Sequence, residues 1–306
     1  MNLAAILASY PPHRFVGAEL ATHQVIRRYD PTVYALFVMP LGYSYDGVKV
    51  RKYVDWRSIE CDLVWSHPDL GGHAGLVAQY LRVGRVDYVH NTSEKTLRNL
   101  HFRPSNLSVF NAQTTAEAAR WRDPVIVHPP VDPRGRPQAE GEAIIGLNAS
   151  KLKGGEVFAA VAEASHRPAY MIKGGHGKQV DMPDSVQMVG TQLPNQIPEF
   201  LTRARVMLMP TKFEAYGMAG LEALASGVPV VASDLPGVRE ALGEAAVYVK
   251  PDDVDGFVKA VERFDDDDFH AEMVTKSLAR AQECWERTQQ ELEFLDDTLR
   301  RRGLYL

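Results

Sequence analysis

The chain has 306 residues, of which 45% are hydrophobic and 24% charged, with a formal net charge of -5. That is enough chain for two domains with full cores, and a composition that excludes disorder, collagen-like repeats and low-complexity architecture. The acidic balance disfavours a general nucleic-acid binder while leaving room for a local basic groove. Cys61 and Cys284 stand far apart in sequence and can build neither a disulfide framework nor a zinc cluster, which points to the cytoplasm. No apolar run reaches the ~20 residues of a membrane helix, and the apolar start lacks the basic flank of a signal peptide.

In chain order, Leu3 to Ala8 reads as a buried strand, Ala18 to Tyr29 as a helix and Val33 to Met39 as a strand. Asp62 to Trp65 is a short strand, Gly72 to Val83 a helix, and Val86 to Val89, Leu107 to Phe110 and Val125 to Val127 further strands. Strands alternating with helices predict a mostly parallel sheet. The segment from Pro129 to Gln138 holds four prolines and a glycine and marks a linker, taken as 129–141. It separates an N-terminal lobe, 1–128, from a C-terminal lobe, 142–284.

The alternation then restarts. Ala143 to Leu147, Ala169 to Ile172, Val186 to Val189, Val206 to Met209, Val228 to Val231 and Ala246 to Val249 read as strands, with helices between them. Each half is predicted to form its own doubly wound α/β sheet, with the ligand in the cleft between lobes at strand C-termini. In the tail, Leu278, Ala281, Trp285, Thr288, Leu292, Leu295 and Leu299 recur at alternating helical spacings, so one long helix is expected. Its stripe is read as packing within the chain, the part at about 285–306 returning to the N-terminal lobe. A homodimer seam is the second reading.

The segment richest in chemistry is Pro210 to Ser233. A strand ends at Pro210, a loop holds Glu214, and a helix starts near Gly217 and stops at Gly227. Glu222 lies four residues after Met218 on the same helix face. A carboxylate there is costly unless hydrogen-bonded, and the vicinal hydroxyls of a ribose would satisfy it. Glu214 sits beside the N–H groups of Tyr216, Gly217 and Met218, where a helix N-terminus suits a diphosphate. The plainer alternative has Glu214 capping that helix and Glu222 pairing with a nearby Lys or Arg. The Asp265–Asp268 run reads as a solvated helix start rather than a metal site.

These residues carry a resemblance. E-A-Y-G-M-A-G-L-E-A-L-A-S-G-V-P-V-V is similar to the E-x7-E signature of glycosyltransferase family 4, retaining enzymes of GT-B fold built from two Rossmann-like lobes around an interdomain cleft. The stretch from Asp234 to Glu240 matches the family pattern that follows. The resemblance implies transfer of a hexosyl group from a nucleotide-diphosphate sugar to an acceptor hydroxyl, with retention and without a metal or other cofactor. It implies donor-sugar contacts for Glu214 and ribose contacts for Glu222. In Asn148 to Gly155, Lys153 matches the lysine that contacts the donor diphosphate. The family's arginine six residues earlier is replaced by Leu147, with Lys151 as a substitute. Lys173 to Lys178 resembles the family's glycine loop, placing Gly174 near the nucleotide, and Val189 and Gly190 fall where backbone groups meet the base.

In the N-terminal half, Tyr10 to Glu19 resembles the family's first loop, with Val16 replacing one glycine and Gly17 kept at a helix start. Val86 to Ser93 resembles the segment ending in a histidine near the reacting sugar, here His90. His67 and His73 are weaker candidates. A nucleotide-sugar epimerase or hydrolase, a non-catalytic nucleotide-sugar binding module and a transferase acting on DNA stand as alternatives. The family's usual length exceeds this one, and the short N-terminal lobe suggests an open site for a large acceptor.

Overall fold

The computed structural model describes residues 2–12, 17–37, 42–173 and 177–304. It divides into two compact units, Met1–Pro130 with Arg287–Leu306, and Val131–Glu286.

In the N-terminal unit, strands and helices alternate as β1 (Leu3–Leu7), α1 (Gly17–Ile26), β2 (Thr32–Ala35), β3 (Gly42–Tyr45), β4 (Val48–Lys52), β5 (Leu63–Ser66), α2 (Gly71–Leu81), β6 (Gly84–Val89), α3 (Glu94–Phe102), β7 (Leu107–Phe110), α4 (Gln113–Ala118) and β8 (Val125–Ile126). One sheet runs in the order β3-β4-β2-β1-β5-β6-β7-β8. All neighbours are parallel except β3 and β4. All five residues of β1 are buried, as in a strand covered on both faces, where apolar runs replace alternation. Ile6, Val64 and Val77 pack in one cluster and Val89, Leu100 and Phe110 in another.

Two features depart from the sequence reading. The strand expected to reach Met39 ends at Ala35, and 38–41 lie outside the described residues. An antiparallel hairpin follows, turning at Asp46 and Gly47, both with positive φ. Asp-Gly between alternating residues is a strong hairpin signal, and it identifies β3 and β4 in retrospect. Helices α3 and α4 are also absent from that reading, although Ser93 caps α3 by accepting from the Thr96 N–H at 3.2 Å.

The C-terminal unit holds β9 (Ala143–Gly146), α5 (Gly155–Ala164), β10 (Ala169–Ile172), β11 (Val186–Val189), α6 (Ile197–Leu201), β12 (Ala204–Met209), α7 (Met218–Ala225), β13 (Val230–Ser233), α8 (Pro236–Leu242), β14 (Ala246–Val249), α9 (Val254–Glu262) and the first part of α10 (Asp267–Arg301). Its sheet is parallel throughout, in the order β11-β10-β9-β12-β13-β14. Phe158, Phe257 and Phe264 anchor the core. Strands β9 and β12 are direct neighbours, Ile144 against Val206 and Ile145 against Met207. The loops leaving their C-terminal ends are therefore brought together, which builds the candidate site.

The acidic run opens α10. Asp266 accepts from the Asp268 and Phe269 N–H groups at 2.9 and 3.0 Å, and Asp267 pairs with Arg205 at 2.5 Å. Along α10, Ala281, Thr288, Leu292, Leu295 and Leu299 are buried within the chain, whereas Leu278 is exposed. Packing inside one chain thus occupies most of the stripe. In the N-terminal unit, Asp296 takes hydrogen bonds from Arg28 at 2.7 Å and Tyr29 at 2.5 Å.

Candidate active site

The loop after β9 passes through a turn at Lys151–Lys153 and reaches Gly154 with φ +77°. A Cβ at Gly154 would lie 2.0 Å from the Pro210 carbonyl oxygen. Only glycine combines this left-handed conformation with so close an approach. The contact docks the loop on the end of β12, where the Lys212 N–H donates to the Leu152 carbonyl at 3.0 Å. Lys153 and Glu214 meet there, Nζ to Oε2 at 2.7 Å, and Nζ also reaches the Phe213 carbonyl at 3.4 Å. Both side chains keep solvent exposure, 32% and 21%. Such a pair contributes on the order of 1 kcal/mol or less, so a ligand can re-partner it at small cost.

Gly217, φ +106°, is the N-cap of α7 and no side chain caps that end. The first intrahelical donors, Gly220 and Leu221, both bond the Gly217 carbonyl. The N–H groups of Met218 and Ala219 precede them at the open, positive end of the helix. Glu214 does not cap α7; it accepts from the Ala215 N–H at 3.2 Å and pairs with Lys153. Tyr216 is 2% exposed, its side chain part of the packed interior.

Glu222 is half-buried on α7. Burial pushes its carboxyl up to about 7, opposed by the positive charge of Arg136. Its carboxylate accepts no hydrogen bond and makes no ion pair within the described residues. The pairing alternative is therefore present only as a longer-range attraction to Arg136. Arg136 was absent from the sequence reading, since a linker arginine carries no local pattern.

Lys151 pairs with Glu156, away from the Lys153–Glu214 pair. Gly174 lies outside the described residues, as does Val16. At the end of β11, the Val189 carbonyl accepts the Lys173 N–H at 2.7 Å and the Gly190 carbonyl accepts the Gln192 side chain at 2.9 Å. A Cβ built at Gly190 would meet nothing within 4 Å, so this edge opens onto free space.

In the N-terminal unit, Gly17 begins α1, and Thr22 one turn on shares a hydrogen bond with His90 Nε2 at 2.9 Å. His90 is 8% exposed, stacks on His67 with ring centroids 5.8 Å apart and meets the Tyr88 ring edge-on. Burial, with the neighbouring His67 as a second cause, holds His90 well below its ordinary range. Burial also lowers His67. Both rings are neutral near pH 7. His67 Nδ1 accepts from the Asp69 N–H at 3.2 Å, which leaves its proton on Nε2. His90 Nδ1 makes no hydrogen bond within the described residues. His73 meets Tyr53 edge to face and lies apart from this pair.

Two parallel-sheet α/β units of this kind define the GT-B fold, shared with solved glycosyltransferases. Residues 149–267, which contain Lys153, Glu214 and Glu222, match the family model "Glycosyl transferases group 1". The Anabaena protein HepE, solved with UDP-glucose, superposes with a TM-score of 0.82 at 16% identity over 97% of this chain and 100% of that one. Sucrose-phosphate synthase from Thermosynechococcus elongatus superposes at 0.79 with 14% identity, over 98% and 99%. In sequence, an O-antigen chain mannosyltransferase B from Escherichia coli is 31% identical over 103 residues, 33% of this chain. That match spans 27% of the relative's length, about a quarter.

Proposed function

We propose that the chain transfers a hexosyl group from a nucleotide-diphosphate sugar to an acceptor hydroxyl, with retention at the anomeric carbon. The observation that carries this reading is the Lys153–Glu214 pair, at 2.7 Å, beside the uncapped N-terminus of α7. A diphosphate arriving there meets an ammonium, two unpaired helix N–H groups and the positive helix end. Those groups gain most when charge builds on the leaving diphosphate, so they act on the transition state. Lys153 is the proposed source of that neutralisation, in place of a metal ion. The carboxylate freed from Lys153, that of Glu214, accepts hydroxyls of the donor sugar, and Glu222 accepts two ribose hydroxyls.

His90, neutral and fixed at Nε2 by Thr22, offers Nδ1 to a sugar hydroxyl without adding net charge. The resemblance to family 4 implies that the acceptor hydroxyl passes its proton to a donor phosphate oxygen. The N-terminal unit is proposed to bind the acceptor, with Gly17 at the start of α1 kept as a donor contact. The complexes of HepE suggest a UDP-sugar as the first donor to try. A cytoplasmic setting is proposed from the two free cysteines. Among the described residues no helix is long and apolar enough to cross a membrane.

The test is release of nucleoside diphosphate from a panel of nucleotide sugars, with and without a pool of glycan and lipid-linked acceptors. Acceptor-dependent release, with NMR showing the donor's anomeric configuration in the product, is expected. Equal turnover without acceptor, yielding free sugar or an epimerised donor, would replace transfer by hydrolysis or epimerisation.

A further inference from the structure

Glu222 faces a residue that the proposed reaction does not use. Arg136 lies in the segment that follows Pro129 and leads into β9. Asp132 builds the turn at its start: its carboxylate takes the Arg134 Nε at 2.9 Å, Nη2 at 2.7 Å and backbone N–H at 3.0 Å, and its carbonyl takes the Arg136 Nε at 2.7 Å. Past Arg136 the segment lies against the end of α7. The Ala139 N–H donates to the Ser226 carbonyl at 3.0 Å, and a Cβ at Gly227 would sit 2.6 Å from the Gln138 Oε1. Arg136 is thus held before and after by contacts that fix the segment to the helix carrying Glu222.

Its guanidinium is not consumed by that packing. Nε makes the bond to Asp132, while Nη1 is buried with no hydrogen-bond partner among the described residues. Leaving such a donor unpaired is costly, and more so for a charged group. The charges acting on Arg136 are Glu222 and Asp132. Among the described residues, Arg136 is the one charged group acting on Glu222. The two are not in direct ion-pair contact.

We propose that Arg136 is a positioning residue for nucleotide binding: the segment that carries it is fixed to the end of α7, and its guanidinium, with a buried Nη1 left for a negative partner, favours the Glu222 carboxylate in the form in which both oxygens accept ribose hydroxyls. This rests on the ribose reading of Glu222. An ionised carboxyl offers two acceptors, whereas a protonated one presents a donor in place of one of them. Burial favours the protonated form, and Arg136 is the described charge that opposes it. The linker therefore supplies part of the nucleotide site without touching the nucleotide.

The test is the affinity of UDP, or of whichever nucleoside diphosphate the donor panel selects, by calorimetry from pH 6 to 9. Wild type, Arg136→Met, Arg136→Lys and Glu222→Gln are compared, each also with the 2′-deoxy nucleotide. Wild-type affinity is expected to rise as pH passes about 7, where Glu222 ionises. In Arg136→Met the inflection moves up. If it moves by about one unit, affinity falls about fivefold at pH 7 and recovers by pH 9. Arg136→Lys restores the wild-type profile. Glu222→Gln flattens the profile and no longer distinguishes the 2′-deoxy nucleotide.

An Arg136→Met profile with an unmoved inflection, whether at full affinity or lowered equally at every pH, overturns the role of Arg136. Wild-type binding by Glu222→Gln at pH 8 would instead remove the ribose reading beneath it. Should Arg136→Met fail to fold, Arg136→Gln, which keeps an N–H for the Asp132 carbonyl, carries the same test.

Discussion

The Lys153–Glu214 pair and the His67–His90 pair solve opposite problems. In the C-terminal unit two full charges face each other at a loop mouth, both partly wet and held by one short contact. In the N-terminal unit two imidazoles stack, His90 buried and His67 half-buried, and burial keeps both uncharged. A wet ion pair is weak in itself and strong toward a new counter-charge, as a site for a diphosphate must be. A neutral pair offers oriented donors and acceptors without a field of its own. The two pairs therefore differ in their sensitivity to pH and to mutation.

The largest effect should come from removing the ammonium. Lys153→Ala is expected to lower turnover about 100- to 1,000-fold, as loss of a transition-state donor does, with a much smaller change in donor affinity. Steady-state kinetics checks this, and wild-type turnover would take Lys153 out of the site. Glu222→Ala should cost about 2 kcal/mol of nucleotide binding, or about 30-fold, the size of a charge-assisted contact. Unchanged affinity in calorimetry would end the ribose assignment.

Acid sharpens the contrast between the units. His67 and His90 have lowered proton affinities in the fold, so the unfolded chain binds protons first as pH falls. Their contribution is fully present above pH about 6.5 and is lost as pH drops below it, at up to about 1.4 kcal/mol per pH unit for each ring. Chemical denaturation at pH 7 and 5 should show a loss that shrinks in a His67→Asn, His90→Asn double variant. An equal loss in both proteins would mean that these rings do not set it. The loop dock bears on stability alone: Gly154→Ala, strained at φ +77° and aimed at Pro210, should destabilise the protein by about 1–3 kcal/mol in chemical denaturation.

The fold class was legible because βα alternation is written locally, in apolar runs of strand length between amphipathic helices. The hairpin of β3 and β4 was missed although Asp46–Gly47 announces it, because a half-polar strand such as Gly42–Tyr45 lacks an apolar run. Lys153 and Glu214 could be singled out from motifs, but their meeting depends on β9 and β12 being neighbours, a property of sheet order. The placement of Arg136 against Glu222 was not readable at all. It arises from the path of an irregular segment, and no periodicity records that path.

Residues 149–267 are proposed to hold a nucleotide-sugar site built on Lys153, Glu214, Glu222 and the start of α7. The most direct measurement is a thermal-shift panel of UDP-, GDP- and ADP-sugars on wild type, Lys153→Ala and Glu222→Ala. One nucleotide series, at about 100 times its Kd, should stabilise the wild type by about 2.7 kcal/mol, a shift of several degrees. The same concentrations should move both variants less. If no nucleotide sugar shifts the wild type, or if one shifts all three proteins equally, Lys153 and Glu222 do not form a nucleotide-sugar site.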